Sequence, residues 1–308
     1  MRVAITGVTG FVGQHLLAEL LDTGHEPIGV SDVDDADLGV PFVSCDLTRA
    51  WPDELTEVDA VVHLAGMSAV GPSFAAPQEY VETNSAMVTT MCESLVARRS
   101  QARVLVVSSG AVYDAFQSHP IPESGALATN SPYVVSKLLV ENLASYYGGR
   151  GLDVVVARPF NHIGPGQKDG FLLPDLVTEA MTAASEGRPM RVGDLGTARD
   201  YTDVRDVARA YRQLLGAALG KDFAADRVFN ICSGRARTGT ELCDLALAEL
   251  GLSDLERSID ESRIRPNDPR SVTGDHERLS RVTGWAAGHR VEETVRDYVA
   301  ERLARGHA

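Results

Sequence analysis

The stretch Thr6-Gly7-Val8-Thr9-Gly10-Phe11-Val12-Gly13 separates two different patterns. Ahead of it, Val3-Ala-Ile5 is a short apolar run. Behind it, Leu16, Leu17, Leu20 and Leu21 recur at helical spacing as far as Gly24. Strand, glycine turn and helix in that order open a dinucleotide-binding unit. Gly7 lets the chain turn tightly. Gly10 removes a side chain where backbone N–H groups must approach a pyrophosphate, and Gly13 lets the helix pack on the strand. The spacing G-x-x-G-x-x-G departs from the G-x-G-x-x-G fingerprint. The triplet therefore gains its weight from its place between strand and helix, since a surface turn can carry glycines too.

Pro27-Ile-Gly-Val30 reads as a second strand. An acidic residue at its end would hold the adenosine ribose hydroxyls and repel a 2′-phosphate. Ser31 or Asp32 takes that place: with Ser31 the discrimination is soft, with Asp32 NAD is favoured. Pro41 to Leu47 reads as a third strand, whose Asp46 either hydrogen-bonds adenine or caps the next segment of chain. Ala60-Val-Val-His-Leu-Ala-Gly66 is a continuous apolar run, as a buried parallel strand requires. Its small terminal residues, Ala65 and Gly66, allow a flat cofactor against the backbone, and His63 inside it reads as a core histidine. Residues 79–96 read as a helix carrying Asn84. Arg103-Val-Leu-Val-Val107 is the next buried strand and ends in Ser108-Ser-Gly-Ala-Val-Tyr113.

Chemistry enters with Ser131-Pro-Tyr-Val-Val-Ser-Lys137. Tyr133 and Lys137 stand one turn apart on a single helix face, and Pro132 suits a first helical position. A phenol beside an ammonium is expected to have a lowered pKa and to serve as a general acid. Ligands of open α/β sheets lie outside the carboxyl ends of the strands. Ser109 lies just past such an end and can share a carbonyl oxygen with Tyr133. Alone, each stretch has a plainer reading: a surface Tyr and Lys, or two loop serines.

The 308 residues allow a large domain with a smaller one, and 44% hydrophobic content is ordinary for a globular chain. A formal net charge of −14 disfavours nucleic acid as a partner, so an anionic ligand must be held by local cations. Cys45, Cys92, Cys232 and Cys243 stand apart and read as buried thiols in a reducing compartment. No metal cluster is read. Arg2 begins a strand at once, with no charged leader and apolar core, and no run is long enough to span a membrane. The expectation is a cytoplasmic protein with no membrane partner.

On these residues the chain resembles the extended short-chain dehydrogenase/reductase family of nucleotide-sugar enzymes. Thr6–Gly13, His63–Gly66, Asn84, Ser108–Tyr113 and Tyr133–Lys137 carry the resemblance in the first half. In the second half, Ala157-Arg-Pro-Phe-Asn-His-Ile-Gly-Pro-Gly-Gln-Lys-Asp169 is similar to GDP-4-keto-6-deoxy-D-mannose reductases and their GDP-mannose 4,6-dehydratase relatives. Arg199–Asp206, Arg265-Pro266 and Thr283-Gly-Trp285 extend it over nearly the whole chain. The resemblance implies Ser109, Tyr133 and Lys137 as the catalytic trio, with Asn84 positioning the lysine through water. It implies cofactor contacts at Gly7, Gly10, Phe11, Val12 and Gly13, at Asp32, Asp46 and Leu47, at Leu64, Ala65 and Gly66, and at Asn84, Tyr133, Lys137 and Pro159. Asn161, Lys168, Arg199 and Arg265, with Ser109, are the implied substrate contacts; Arg191 is a weaker candidate.

The implied architecture is α/β, a Rossmann-type doubly wound parallel sheet with a smaller C-terminal α/β substrate lobe. Residues 1–163 with 204–233 form the NAD(P)-binding domain, and 164–203 with 234–308 the nucleotide-sugar lobe. The implied reaction is NAD(P)H-dependent reduction of the 4-keto group of GDP-4-keto-6-deoxy-D-mannose to GDP-D-rhamnose, with either NADP or NAD as cofactor. The substrate partner is a GDP-linked nucleotide sugar, and the chain is expected to form a homodimer through the helices at 79–96 and 133–147. The alternatives are a nucleotide-sugar 4-epimerase with tightly bound NAD and a non-catalytic cofactor-sensing protein. Two positions depart from the reductases: Ala111 replaces an acidic residue, and Asp114 a glycine.

Overall fold

The computed structural model describes residues 1–55, 57–264 and 268–306. Its first half alternates strand and helix: β1 (Arg2–Thr6), α1 (Phe11–Asp22), β2 (Glu26–Ser31), β3 (Phe42–Ser44), β4 (Ala60–His63), α2 (Val70–Ser73), α3 (Pro77–Ala97), β5 (Arg103–Val107), α4 (Pro132–Gly149) and β6 (Asp153–Pro159). The second half runs β7 (Asn161–Ile163), α5 (Leu172–Glu186), β8 (Met190–Val192), β9 (Ala198–Asp203), α6 (Val204–Gly216), α7 (Phe223–Asp226), β10 (Val228–Ile231), β11 (Ala236–Thr238), α8 (Gly239–Glu249), β12 (Arg257–Ile259), β13 (Ser271–Val272), α9 (Glu277–Thr283) and α10 (Val291–Gly306).

Seven parallel strands form the main sheet in the order β10-β6-β5-β4-β1-β2-β3. Side chains alternate across a strand, so each strand feeds two cores. Ala4, Val61, Val104, Val106 and Val154 meet Val88, Met91 and Leu95 of α3 and Val140, Ala144 and Tyr147 of α4 on one face. Val3, Ile5, Val62, Leu105 and Val155 meet Leu16 and Leu20 of α1 and Val207, Tyr211 and Leu214 of α6 on the other. Both faces are covered, which is why β4 and β5 read as unbroken apolar runs rather than alternating ones.

The order reverses between β1 and β4, and their carboxyl ends open the crevice where such sheets bind ligands. The chain returns to the large sheet in β10, which pairs with β6. The smaller lobe packs α5, α8 and α10 around Leu173, Val177, Leu242, Ala246, Val295 and Tyr298. It carries the small sheet β11-β9-β13, with β7 alongside β9, and the pair β8–β12. Within the segment 234–308, however, α9 lies against the large sheet. Leu279 and Trp285 belong to the same core as Val3 and Ile5, and the Trp285 indole donates to the Asp206 carbonyl at 2.9 Å.

Cys92, Cys232 and Cys243 are buried as expected, whereas Cys45 is only half-buried beyond the end of the short edge strand β3. No helix among the described residues is long and apolar enough to cross a membrane.

Candidate active site

The glycine turn is built by close backbone approach. Gly7 has φ +69°, and a Cβ there would lie 2.9 Å from the Ala65 nitrogen. A Cβ on Gly13 would lie 2.4 Å from the Gly7 carbonyl oxygen, so no larger residue fits without moving α1. Gly10 forms the N-cap of α1, with no side chain capping that end and no acidic residue in its first turn. The free N–H groups and the positive end of the helix dipole therefore face the crevice, as a pyrophosphate requires. Phe11 turns away to stack on His162 at 6.0 Å, while Leu64 and Ala65 line the exit of β4. These residues fit a dinucleotide.

Thr6 ties the turn to β4. Its hydroxyl accepts from the Ala65 N–H at 3.1 Å and bonds His63 Nδ1 at 2.9 Å. His63 is a core histidine, as read. Burial, aided by the Lys137 charge, pushes it down to about 3, so it is neutral throughout the physiological range.

At the end of β2, Ser31 is buried and bonds Thr9 of the glycine turn at 2.9 Å. Ser31 also donates to the Asp32 carboxylate at 3.3 Å, and Asp32 itself is exposed. Asp46 caps the adjoining turn: it accepts from the Thr48 N–H at 3.0 Å and from its hydroxyl at 2.6 Å, and these bonds hold its carboxyl below the usual range. Leu47 beside it is a core residue.

Asn84, buried on α3, works as a bracket. Its Oδ1 accepts from the Met67 N–H at 2.8 Å, and its Nδ2 donates to the Met67 carbonyl at 3.2 Å and to Ser136 of α4 at 2.9 Å. It thereby fixes Gly66, at φ +154°, against α4; a Cβ on Gly66 would lie 2.9 Å from Asn84 Oδ1 and 3.8 Å from Lys137 Nζ.

The helix start at Pro132 is as expected. Ser131 is its N-cap and accepts from the Val134 N–H at 3.2 Å. Tyr133 is 6% exposed, its ring is edge-on to Tyr80 at 6.5 Å, and Ser109 is the neighbour that opposes the effect of burial on its phenol. Ser109 also accepts from the Ala111 N–H at 3.1 Å. The three expected groups therefore converge at the carboxyl ends of β4 and β5.

One expectation fails. Tyr133 is not lowered by Lys137: burial pushes the phenol up, and the neighbouring Ser109 pulls it only partly back. The Lys137 amine donates instead to the Val107 carbonyl at 2.9 Å and lies 6.0 Å from the centre of the Tyr133 ring. Burial also pushes Lys137 itself down to about 8.

The outer candidates are less gathered. Pro159 ends β6 beside Ile231. Asn161 begins β7 and is exposed, as is Lys168. Arg199 is committed: it donates to the Ala198 and Pro269 carbonyls at 2.8 and 2.9 Å and pairs with Asp268 at 2.5 Å. Arg265 and Pro266 lie outside the described residues. Arg191 is exposed, 3.9 Å from Glu179. Sequence reading missed His162 and His15, which flank Phe11; His15 Nε2 bonds the Pro165 carbonyl at 2.8 Å. The repeated histidines near the two turns were the available signal.

The model of the NAD dependent epimerase/dehydratase family matches residues 3–232, and the chain belongs to that family. It is 37% identical to GDP-6-deoxy-D-mannose reductase of Pseudomonas aeruginosa, over 97% of this chain and 96% of that protein. It is 26% identical to a UDP-glucose 4-epimerase of Bacillus subtilis, over 96% and 95%. Among solved structures, RMD from Pseudomonas aeruginosa complexed with NADPH superposes with a TM-score of 0.79 at 32% identity, covering 99% of each chain.

The neutral, buried His63 gives a testable pH dependence. Its folded pKa lies below the unfolded value, so between pH 6.5 and about 3 the unfolded chain binds the extra proton and stability falls with acid. His63→Gln should flatten that slope by about 1.4 kcal/mol per pH unit in denaturant titrations between pH 6 and 4. Equal slopes in the two proteins would mean that His63 titrates freely.

Proposed function

We propose that the chain reduces the 4-keto group of GDP-4-keto-6-deoxy-D-mannose to give GDP-D-rhamnose, using NADPH or NADH. The observation that carries this is the convergence of Ser109, Tyr133 and Lys137 beside a glycine-lined cradle, in a chain similar to a GDP-6-deoxy-D-mannose reductase along its whole length.

The reduced dinucleotide supplies the hydride when bound. Tyr133 donates its phenolic proton to the ketone oxygen as that atom gains negative charge, and Ser109 holds the oxygen in place. A phenol pushed up by burial keeps its proton at neutral pH, which suits an acid better than the lowered value expected from spacing alone. Lys137 orients the cofactor ribose. Asn161, Lys168, Arg199 and Arg265 are the proposed contacts to the sugar nucleotide. Arg199 must exchange its Asp268 bond to reach a phosphate. Tyr133→Phe should bind cofactor while losing roughly 10²–10⁴-fold in turnover. The measurement is loss of reduced nicotinamide absorbance over a panel of 4-keto sugar nucleotides. Near wild-type turnover in the variant would remove Tyr133 from the mechanism, and substrate interconversion without net cofactor consumption would favour epimerisation.

Dehydration needs a further acid and base to take a proton from C5 and release the C6 hydroxyl. Gly110 and Ala111, next to Ser109, offer neither. Asp114 accepts from the Phe116 N–H at 3.0 Å. Glu123 is occupied by the Asn230 N–H at 3.0 Å and by Arg278 at 3.4 Å. GDP-mannose incubated with the protein and NAD should therefore yield no 4-keto-6-deoxy product by mass, and its formation at enzymatic rate would overturn the assignment.

A homodimer is proposed through α3 and α4. Phe74 and Val135 are 62% and 41% exposed beside Val81 and Pro132, an apolar surface next to the catalytic helix. Solution mass at micromolar concentration should correspond to two chains; a single-chain mass refutes the pairing.

A further inference from the structure

Lys137 has a carboxylate one helical turn behind it, and that carboxylate has a cation of its own. Lys137 and Glu141 are 7% and 8% exposed and share a face of α4. Helical side chains lean towards the N-terminus, so Glu141 leans towards Lys137. On its other side, Glu141 accepts two bonds from Arg158 of β6, from Nε at 2.8 Å and Nη2 at 2.6 Å. Arg158 is fixed in turn: Nη1 donates to the Tyr113 hydroxyl at 2.8 Å and to the Glu123 carbonyl at 3.1 Å, and the guanidinium lies 4.9 Å from the Tyr113 ring centre. The Tyr113 hydroxyl then donates to Asn230 Oδ1 at 2.7 Å.

Glu141, Arg158, Tyr113 and Asn230 are all buried, and their polar groups bond to one another and to backbone. A buried ion pair is a poor source of stability, because desolvating both charges costs about as much as their attraction returns. A site needing only stability would be filled by apolar residues. This one instead pairs a carboxylate with a guanidinium one helical turn from the candidate catalytic lysine.

We propose that Glu141 is a positioning residue for Lys137: its carboxylate, held in place by Arg158 and divided between the two cations, keeps the lysine charged and aimed at the carboxyl ends of β4 and β5. The proposal rests on the reading of Lys137 as the residue that orients the cofactor ribose. Burial alone drives Lys137 towards the neutral amine, and the Glu141 charge opposes it. The other groups facing Lys137 add no second negative charge: His63 on β4 is neutral, Tyr133 on α4 keeps its proton, and Asn84 on α3 and the Val107 carbonyl on β5 are uncharged. On the far side of Glu141, the Arg158 guanidinium pairs with the carboxylate at 2.6 Å.

The test uses the whole protein, with NADPH and NADH binding followed by fluorescence titration from pH 6 to 10 and keto-sugar turnover followed over the same range. Glu141→Gln keeps the shape and an acceptor for Arg158 but removes the charge. Its alkaline fall in cofactor affinity should move about one pH unit lower, a loss of up to roughly tenfold on that limb. Arg158→Gln should move the same limb higher, because Glu141 is then unshared. Glu141→Asp, which keeps the charge, should restore the wild-type position. Lowered melting temperatures with unmoved pH profiles, or both Gln variants shifting in one direction, would show a structural pair only. A wild type that binds cofactor with an alkaline limb but reduces no keto sugar refutes the proposed reaction while the binding profiles still decide Glu141. A wild type with no alkaline limb refutes the role of Lys137 and the proposal with it.

Discussion

The structure depends on one close approach, that of the glycine turn to the exit of β4. Gly7 comes so near Ala65 that a side chain on it would collide with backbone, and Gly13 seats α1 against the carbonyl of Gly7. Thr6 closes the contact from beneath by taking the Ala65 N–H. Because β4 is fixed to β1 here, its last residues lie open and flat, and the bracket formed by Asn84 carries the same fixed geometry over to α4. The positions of Tyr133 and Lys137 derive from that chain of contacts rather than from any direct bond between them.

Burial then sets the charges. The same enclosure raises the phenol of Tyr133, lowers the amine of Lys137 and silences His63. Each shift comes chiefly from desolvation, with a specific neighbour modifying it: Ser109 for the tyrosine, Glu141 for the lysine, Lys137 for the histidine. An enclosed site in which a proton is retained on the phenol while a cation stands nearby is suited to protonating a developing alkoxide.

Much of this was legible in the sequence where the signal is local. The glycine spacing, the apolar runs of β4 and β5, and the Tyr133–Lys137 turn all declare themselves within a few residues. The illegible part depends on partners far along the chain. Arg199 looked free because Asp268 stands 69 positions away. Tyr133 looked acidified because spacing shows a neighbouring lysine but not that its amine turns to Val107, nor how deeply the phenol is enclosed. Asp46 left two readings open, and the hydroxyl and N–H of Thr48 show it serving as a cap. Trp285 carried a familiar Thr-Gly-Trp signature, but only the packing shows that it completes the core beneath β1.

That last feature bears on how the chain comes to be folded. The large sheet is not sealed until Trp285 arrives, and the smaller lobe lacks its third wall until Tyr298 and Val299 of α10 join it. A chain growing from its N-terminus therefore leaves part of both cores uncovered until residues 279–299 are made. Parallel pairings already form slowly because they join distant segments, and exposed intermediates of such sheets aggregate. Residues around Trp285 and in α10 thus complete cores whose other members stand far earlier in the chain.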